Sequence, residues 1–481
     1  AQLVFLAHQG KTTLREKIPG VTRRMPDLPG ATPHYTHGWT VASPIWMTRK
    51  LKEARGPATK PAPEPKELKL DVTAVEDRVK FDKAQLWKGS LVPASPADNW
   101  LTSGSAAYWN LLNALPEDTA KAYRQLGERL ATANAKHAWL AAREGDLTAA
   151  EGAQVHDRYA PYAIPRVRGT FALHQLRLAL GNGPFFRAMR AVHEEYREKP
   201  ISADGFAASV ARAAKRDRKD IDAILSPWLT RKGFPAPKPS LTVTPKGKEF
   251  TVTLTVAQTG APWPLRGSVL VESPGALVVK PFDGDRAEWT LAEKPTRVTF
   301  ASGWDFPVAL ESPYTFGSFA DDFAKTLVVY GTVRQEEAHH TLAHRLATTL
   351  ADGTSEILPR LVKDSDLTAE ELFSHDLVLV GAPSENSVTA SLAASLPATF
   401  ASNVFTHQGK AYTRVDDGLY AVMPNPKNPK RAVHLFAANS VNELHQVTKS
   451  YPVGVPQWAV FRGDEVKAQG FHVPSGFELR P

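Results

Sequence analysis

His340 and His344, in "HHTLAHR", stand one helical turn apart, the spacing that lets two imidazoles reach one metal ion from a single helix face. Thr341 occupies the place where a general base would follow the first histidine, so the segment reads as a surface helix, with adventitious divalent-metal binding as the alternative. The histidines of "HYTH", His34 and His37, lie in Pro-rich sequence and read as an unrelated pair. "VGAPSENS" (Val380 to Ser387) follows an apolar run, and Gly381, Ser384 and Asn386 could cradle a phosphate there, where doubly wound folds bind ligands. It has neither a GxGxxG pattern nor a P-loop lysine, and Ser384 lacks the GxSxG elbow of a hydrolase nucleophile; ordinary β-to-α turn chemistry is the alternative. Trp87, Trp100, Tyr108 and Trp109 crowd one stretch, as core or as the wall of a peptide or partner groove. The chain has no cysteine, which excludes disulfides, thiolate metal sites and a cysteine nucleophile.

The elements that must position these residues fall into four segments, and a chain of 481 residues is long enough for three or four cores. Residues 1–70 are Pro-rich and close with "GPATKPAPEPKE", whose alternating prolines interrupt both helices and sheet ladders. Residues 71–236 are helical: "AAYWNLLNAL", "DTAKAYRQLGERLATANAKHAWLAAREG" and "FALHQLRLALG" repeat apolar residues every three to four positions. Ser202 caps a further helix, and "SPWLTRKGFPAPKPS" ends the region. In 237–320, "SLTVTPKGKEFTVTLTVAQ", "SVLVES" and "TRVTFAS" alternate with period two, which predicts a small β-sandwich. In 321–481, "KTLVVYGT", a helix over "EEAHHTLAHRLATTLADG", "DLVLVGAPSENS", a further helical segment and "RAVHLFAANS" predict a flavodoxin-like parallel sheet covered on both faces. "MPNPKNPKR" reads as a Pro/Asn loop before a strand. The fold class is multidomain α+β.

Four anchors in fixed order resemble the gluzincin zinc aminopeptidases, the family of alanyl aminopeptidase. "LWKGSLVPASPADNWLTSGSAAY" is similar to that family's "QWFGNLVTP" and "WLNEGFAxY" through Trp87, Gly89, Leu91, Val92, Pro93, Trp100, Leu101, Gly104, Ala106 and Tyr108. "PRVRGTFALHQLRLALGNGPFFRAMRAV" resembles its "YxKGAxVLxMLRxxLG" helix, and "SPWLTRKGFPAPKPSLTVTP" its crossing into an Ig-like sandwich. The resemblance covers roughly residues 75 to 310. It implies a gluzincin-like (thermolysin-like) helical domain over 71–236 and an Ig-like sandwich over 237–320. The C-terminal α/β segment lies outside the usual family architecture.

The resemblance also implies where the family's chemistry would sit, and none of those positions keeps it. HExxH falls on "FDKAQ", with Phe81, Asp82 and Gln85 at the positions of the first ligand, the base and the second ligand. The third ligand falls on Ser103, one residue closer than the family spacing, and the transition-state tyrosine falls on Arg166. A benzyl group cannot coordinate zinc, and a neutral amide and a protonated hydroxyl are not its ordinary ligands. Without a metal, nothing draws the pKa of water from 15.7 towards about 7. The expectation is a catalytically inactive aminopeptidase-like protein with no cofactor, acting as a binding or structural component of a bacterial cell-envelope assembly. A hydrolase or nucleotide function in the α/β segment is the alternative; a non-standard zinc peptidase is a remote third.

Composition narrows the partners. Fifty-eight basic against 50 acidic residues leave +8, a small excess for this length. The densest basic run, "ARAAKRDRKD", is interrupted by acidic residues and lacks interleaved aromatics, so it reads as a solvated helix face, with a polyanion contact as the alternative and no nucleic-acid groove. No apolar run approaches the ~18 residues that span a bilayer, so membrane association is expected only through protein partners. The start at Ala1 rather than Met and the absent thiols fit an extracytoplasmic location.

Overall fold

Apolar residues three and four apart fold the first part of the chain into helices: α1 (Asn99–Asn113), α2 (Thr119–Glu144), α3 (Ala149–Gly152), α4 (Ala163–Leu180), α5 (Asn182–Glu195), α6 (Ala203–Ala214) and α7 (Arg218–Thr230). The computed structural model describes residues 68–154, 163–315, 318, 323–352, 358–449 and 457–481. The Pro-rich segment through Glu67, with its HYTH histidines, lies outside the described residues. Leu68–Pro481 is one compact unit.

α4 is the axis of the helical region, buried at every position from Ala163 to Val167 except Arg166 and throughout from Val167 to Arg177. α1 buries Trp100, Leu101, Gly104, Ser105, Tyr108 and Leu112, one stripe at helical spacing. The two helices touch backbone to backbone. A Cβ on Gly104 would sit 2.7 Å from the Gly169 Cα, and one on Gly169 would sit 2.6 Å from the Trp100 carbonyl oxygen. Ser202 caps α6 by accepting from the Gly205 amide. The basic run between α6 and α7 is tied into ion pairs, Arg212 with Glu195 and Arg218 with Asp204 and Asp222. It forms solvated helix ends.

Strands follow: β4 (Lys238–Lys246), β5 (Glu249–Ala257), β6 (Arg266–Ser273), β7 (Ala276–Asp283), β8 (Arg286–Leu291) and β9 (Arg297–Thr299). They make a three-stranded sheet, β4-β5-β8, and a five-stranded sheet that also recruits β1 (Leu70–Asp71) and β20 (Glu478–Leu479). β1 pairs parallel with β7, and β20 pairs antiparallel with β9. The linear partition at 237 and 321 therefore needs correction, because this sheet takes its edge strands from before the helices and from the chain end. Covering edges in this way removes free ladder groups. The core ignores the partition too: Leu112, Phe171, Phe185 and Trp228 of the helices belong to one cluster with Val271, Phe300 and Phe306.

The last region is a seven-stranded sheet of order β11-β10-β12-β17-β16-β18-β19, built from β10 (Thr326–Tyr330), β11 (Arg360–Lys363), β12 (Asp376–Val380), β16 (Asp417–Asn425), β17 (Asn428–Ala438), β18 (Trp458–Arg462) and β19 (Glu465–Gly470). β11, β10, β12 and β17 are parallel, and β16, β18 and β19 continue as antiparallel neighbours. The sheet is mixed, which corrects the expectation of a purely parallel one. "MPNPKNPK" is the hairpin that reverses the chain: Asn425 accepts from the Lys427 amide and donates to the Leu372 carbonyl. All five residues of β10 and of β12 are buried; Val328 and Val378 face one apolar cluster and Leu327 and Leu377 the other. Both faces are thus covered, one in part by Trp139 and Leu140 of α2. The helical segment expected after Ser387 is mostly a small antiparallel sheet, β13 (Ala398–Ala401), β14 (Val404–His407) and β15 (Lys410–Tyr412), after a single short helix, α10 (Ser387–Ser391). No helix among the described residues is long and apolar enough to cross a membrane.

Candidate binding groove

The segment aligned with HExxH is not an α-helix. Asp82 accepts from the Ala84 amide and holds Lys83–Gln85 in a single 3₁₀ turn, a local bond that competes with helix propagation. A helix pair at the family's site is therefore corrected to one helix, α1, preceded by a turn. Phe81 packs against Phe186 at 5.1 Å, with the Arg177 guanidinium 4.8 Å from its ring. The Gln85 carbonyl accepts from Arg190, and the Ser103 hydroxyl donates to the Asn99 carbonyl within α1. Arg166 is exposed on α4. Phe81 thus packs, Asp82 caps and Ser103 bonds within its own helix. Among the described residues, no group of three or more His, Cys, Asp or Glu is placed to hold a metal ion.

The four aromatics divide. Trp100 and Tyr108 are core residues, Trp100 edge-on to Phe206 and Tyr108 fully enclosed. As groove residues they are corrected: they lie on the buried stripe of α1. Trp109, half-buried, walls a cleft of 330 Å³ with Lys88, Ser90 and Thr102, while Trp87, as buried as Trp100, lies beneath it. The Trp109 indole donates to the Trp87 carbonyl at 2.9 Å, which ties α1 to the loop before it. Thr102 donates to the Leu91 carbonyl at 2.6 Å and closes the same loop. Gly89 has φ +88°, a left-handed turn that glycine takes without penalty.

Behind the cleft, His193 stacks on Trp87 at 5.9 Å, and its Nε2 lies 3.4 Å from the Ser105 hydroxyl. Burial pushes this imidazole down to about 4, so it is neutral at pH 7. At 3.4 Å the serine contact is a weak bond of the core. Neither residue stood out in the sequence, since a serine within a helix and a lone histidine carry no motif.

A second polar cluster joins the helices to the five-stranded sheet. His174 donates from Nε2 to Asp305 at 3.0 Å and accepts at Nδ1 from the Tyr108 hydroxyl at 2.8 Å, an assignment that satisfies both rings. Asp305 also takes Arg78 at 2.9 Å and Ser268 at 2.8 Å, and Tyr123 reaches Ser268. Burial opposes ionisation of Asp305, yet Arg78 and the bonds from His174 and Ser268 outweigh it and hold the carboxyl far below its usual range. Burial keeps His174 depressed despite that carboxylate. Tyr123 is pushed up to about 12 by burial and by Asp305. The network is enclosed and its donors and acceptors are paired with one another, so it fastens two layers.

The loop after β12 takes a different course from a phosphate cradle. Asn386 is buried and donates to the Val329 and Val380 carbonyls, while its oxygen caps α10 through Thr389. The amides of Gly381 and Ala382 are already bound to Phe436 and Glu385, and Ser384 faces solvent. Asp364 fills the neighbouring crevice, accepting from the Thr332 amide, the Thr332 hydroxyl and the Ser387 amide. Burial works against its charge, but those bonds prevail and keep the Asp364 carboxyl below its ordinary value. The expectation of a ligand loop at Gly381, Ser384 and Asn386 is corrected: the crevice holds the chain's own carboxylates. His340 and His344 are exposed on α8 (Glu336–Asp352), with His340 edge-on to Tyr330.

No family model matches the chain, and no curated protein matches it. Among solved structures, the chain is similar to aminopeptidase A from Legionella pneumophila, in a crystal structure with aspartic acid, at 12% identity and a TM-score of 0.31. That likeness covers 56% of this chain and 29% of the other, so the chain spans under a third of that aminopeptidase's length.

Proposed function

We propose that this protein is a gluzincin aminopeptidase-like scaffold without catalysis that binds a peptide or protein segment in the Trp87–Trp109 cleft, as a component of a bacterial cell-envelope assembly. The observation that carries the reading is the fate of the family's positions. The residues that pack its helices are kept, down to the Gly104–Gly169 contact, while the ligand, base and tyrosine positions hold Phe81, Gln85, Ser103, Asp82 and Arg166. The cleft offers the half-buried Trp109 indole with Lys88, Ser90, Thr102 and Asn110 around it, which suits an apolar or aromatic side chain flanked by hydrogen-bonding backbone.

Two measurements test it. The purified chain, equilibrated with zinc and assayed on aminoacyl-arylamides, should hold no stoichiometric zinc at Gln85 and Ser103 and show no chelator-sensitive turnover; both together would end the reading. A displayed peptide library should yield ligands that quench tryptophan fluorescence, with affinity falling at least tenfold in Trp109→Ala. Ligands that bind this variant unchanged would place the site elsewhere.

A further inference from the structure

A buried and a half-buried imidazole at the seam between the β13–β15 sheet and the C-terminal segment have no part in the groove or the polar network. His407 ends β14, and its Nδ1 donates to the Pro397 carbonyl at 2.9 Å. The His472 ring lies beside the Val422 carbonyl, and its backbone amide is fixed by Gln457 at 2.8 Å. In both residues Nε2 is buried and has no hydrogen-bond partner. The ring centroids are 6.2 Å apart and the planes cross at 73°. Trp458 stands edge-on to His407 at 4.7 Å and walls the site.

With the His407 Nδ1 proton given to the Pro397 carbonyl, Nε2 of that ring carries the lone pair, and the Val422 carbonyl beside His472 favours the same tautomer there. The same outer bond fixes the tautomer and orientation of metal-ligating histidines. The spacing selects the ion. A ring nitrogen lies roughly 1 Å from its centroid and metal–imidazole bonds are about 2 Å, so two rings joined end to end through one ion lie about 6 Å apart. A tetrahedral ion bends the pair closer and asks for two more ligands, whereas no three-residue ligand group occurs among the described residues.

We propose that His407 and His472 bind one monovalent d¹⁰ cation of the copper(I) and silver(I) class, two-coordinate through both Nε2 atoms. The thiol-free chain offers no thiolate to compete for such an ion. Entry runs through a 700 Å³ cleft that His472 lines together with Trp304, Phe471, Phe477 and Gln408. Binding needs no electron transfer, because the ion enters and leaves in the same oxidation state.

The test is an anaerobic titration of the full chain with copper(I) against a chromophoric chelator, followed by X-ray absorption on the loaded protein. One copper per chain with a two-nitrogen shell is expected, and at least a tenfold loss of affinity in His472→Gln. The double variant His34→Ala/His37→Ala should bind as the parent does. No binding, a three- or four-coordinate shell, tighter zinc(II) than copper(I), or copper retained in His472→Gln as an adventitious ion only would each overturn the proposal. Should the His472 variant fail to fold, the coordination shell of the parent protein decides alone.

Discussion

The cleft on α1 and the crevice at the carboxyl ends of β10 and β12 are built in opposite ways. At α1 and the turn before it, Phe81 packs on Phe186, Ser103 bonds within the helix, and an open cleft walled by Trp109 is left beside them. At the sheet the crevice is closed from within, by Asp364 on the Thr332 and Ser387 amides and by Glu385 on the Ala382 amide. A phosphate entering there would meet two carboxylates where it needs free amides. One region leaves an open surface, and the other supplies its own anion. This contrast favours the α1 cleft as the place where the protein meets something else.

The comparison breaks most readily at the helix crossing. Gly104→Ala places a methyl group within 2.7 Å of the Gly169 backbone, which no rotamer can relieve. Overpacking between two backbones should cost about 3 kcal/mol or more and leave little folded protein, read by solubility and urea melts. A mild phenotype would mean that α1 and α4 can separate, and that the cleft is not held as described. Next in size is Asp305→Ala. It strands the buried Arg78 and removes the acceptor of His174, a loss of roughly 3–5 kcal/mol for a broken buried pair. Unfolding of the helices ahead of the five-stranded sheet, followed by separate probes, is the expected signature.

Asp364→Asn tests the other region. The amide keeps one acceptor oxygen but turns its NH2 towards either the Thr332 or the Ser387 donor, and should cost about 1–3 kcal/mol. The sign of the pH effect is fixed by the depressed carboxyl: its contribution is present above the unfolded value of about 3.9 and is lost as pH falls through the folded one. The variant should therefore lose stability at pH 7 and converge on the parent in acid. If it instead gains affinity for inorganic phosphate or nucleotides without losing stability, the crevice is a ligand site after all.

What was legible in the sequence follows the same division. Helical periodicity placed α1, α2, α4 and α6, and unbroken apolar runs placed β10 and β12, because burial on one stripe or on both faces writes itself into residue spacing. β16 went unread. Its residues Gly418–Val422 are buried on both faces like a parallel strand, yet it runs antiparallel through a hairpin whose prolines resemble a loop. The recruitment of β1 and β20 was illegible for another reason: two-residue strands carry no period. In the site, Trp87 and Trp109 were found by type. The separation of Trp109 from Trp100 and Tyr108 depends on which face of α1 meets α4, a tertiary fact, and Trp87 is buried with them. His193, His174 and Asp305 are scattered over the chain and converge only when the layers pack.

The smallest effect sharpens the contrast between carboxylates that have donors and one that lacks them. Glu443, on α11 (Val441–Lys449), is buried and among the described residues accepts the Gly463 amide, with Asp416, Asp417 and Asp464 nearby; Arg462 pairs with Asp417. Burial, aided by those three aspartates and opposed by the Gly463 bond, pushes its carboxyl up to about 8. The unfolded chain releases this proton above about 4.3 while the folded chain keeps it, so folding stability declines as pH rises between the two values. Glu443→Gln keeps an acceptor for Gly463 and removes the titration. It should raise Tm by about 1–3 °C at pH 8 and leave it unchanged at pH 4. An equal gain at both pH values would trace the effect to packing, and a loss at pH 8 would mean that the charged form is the native one and that this region, too, finds donors for every carboxylate it buries.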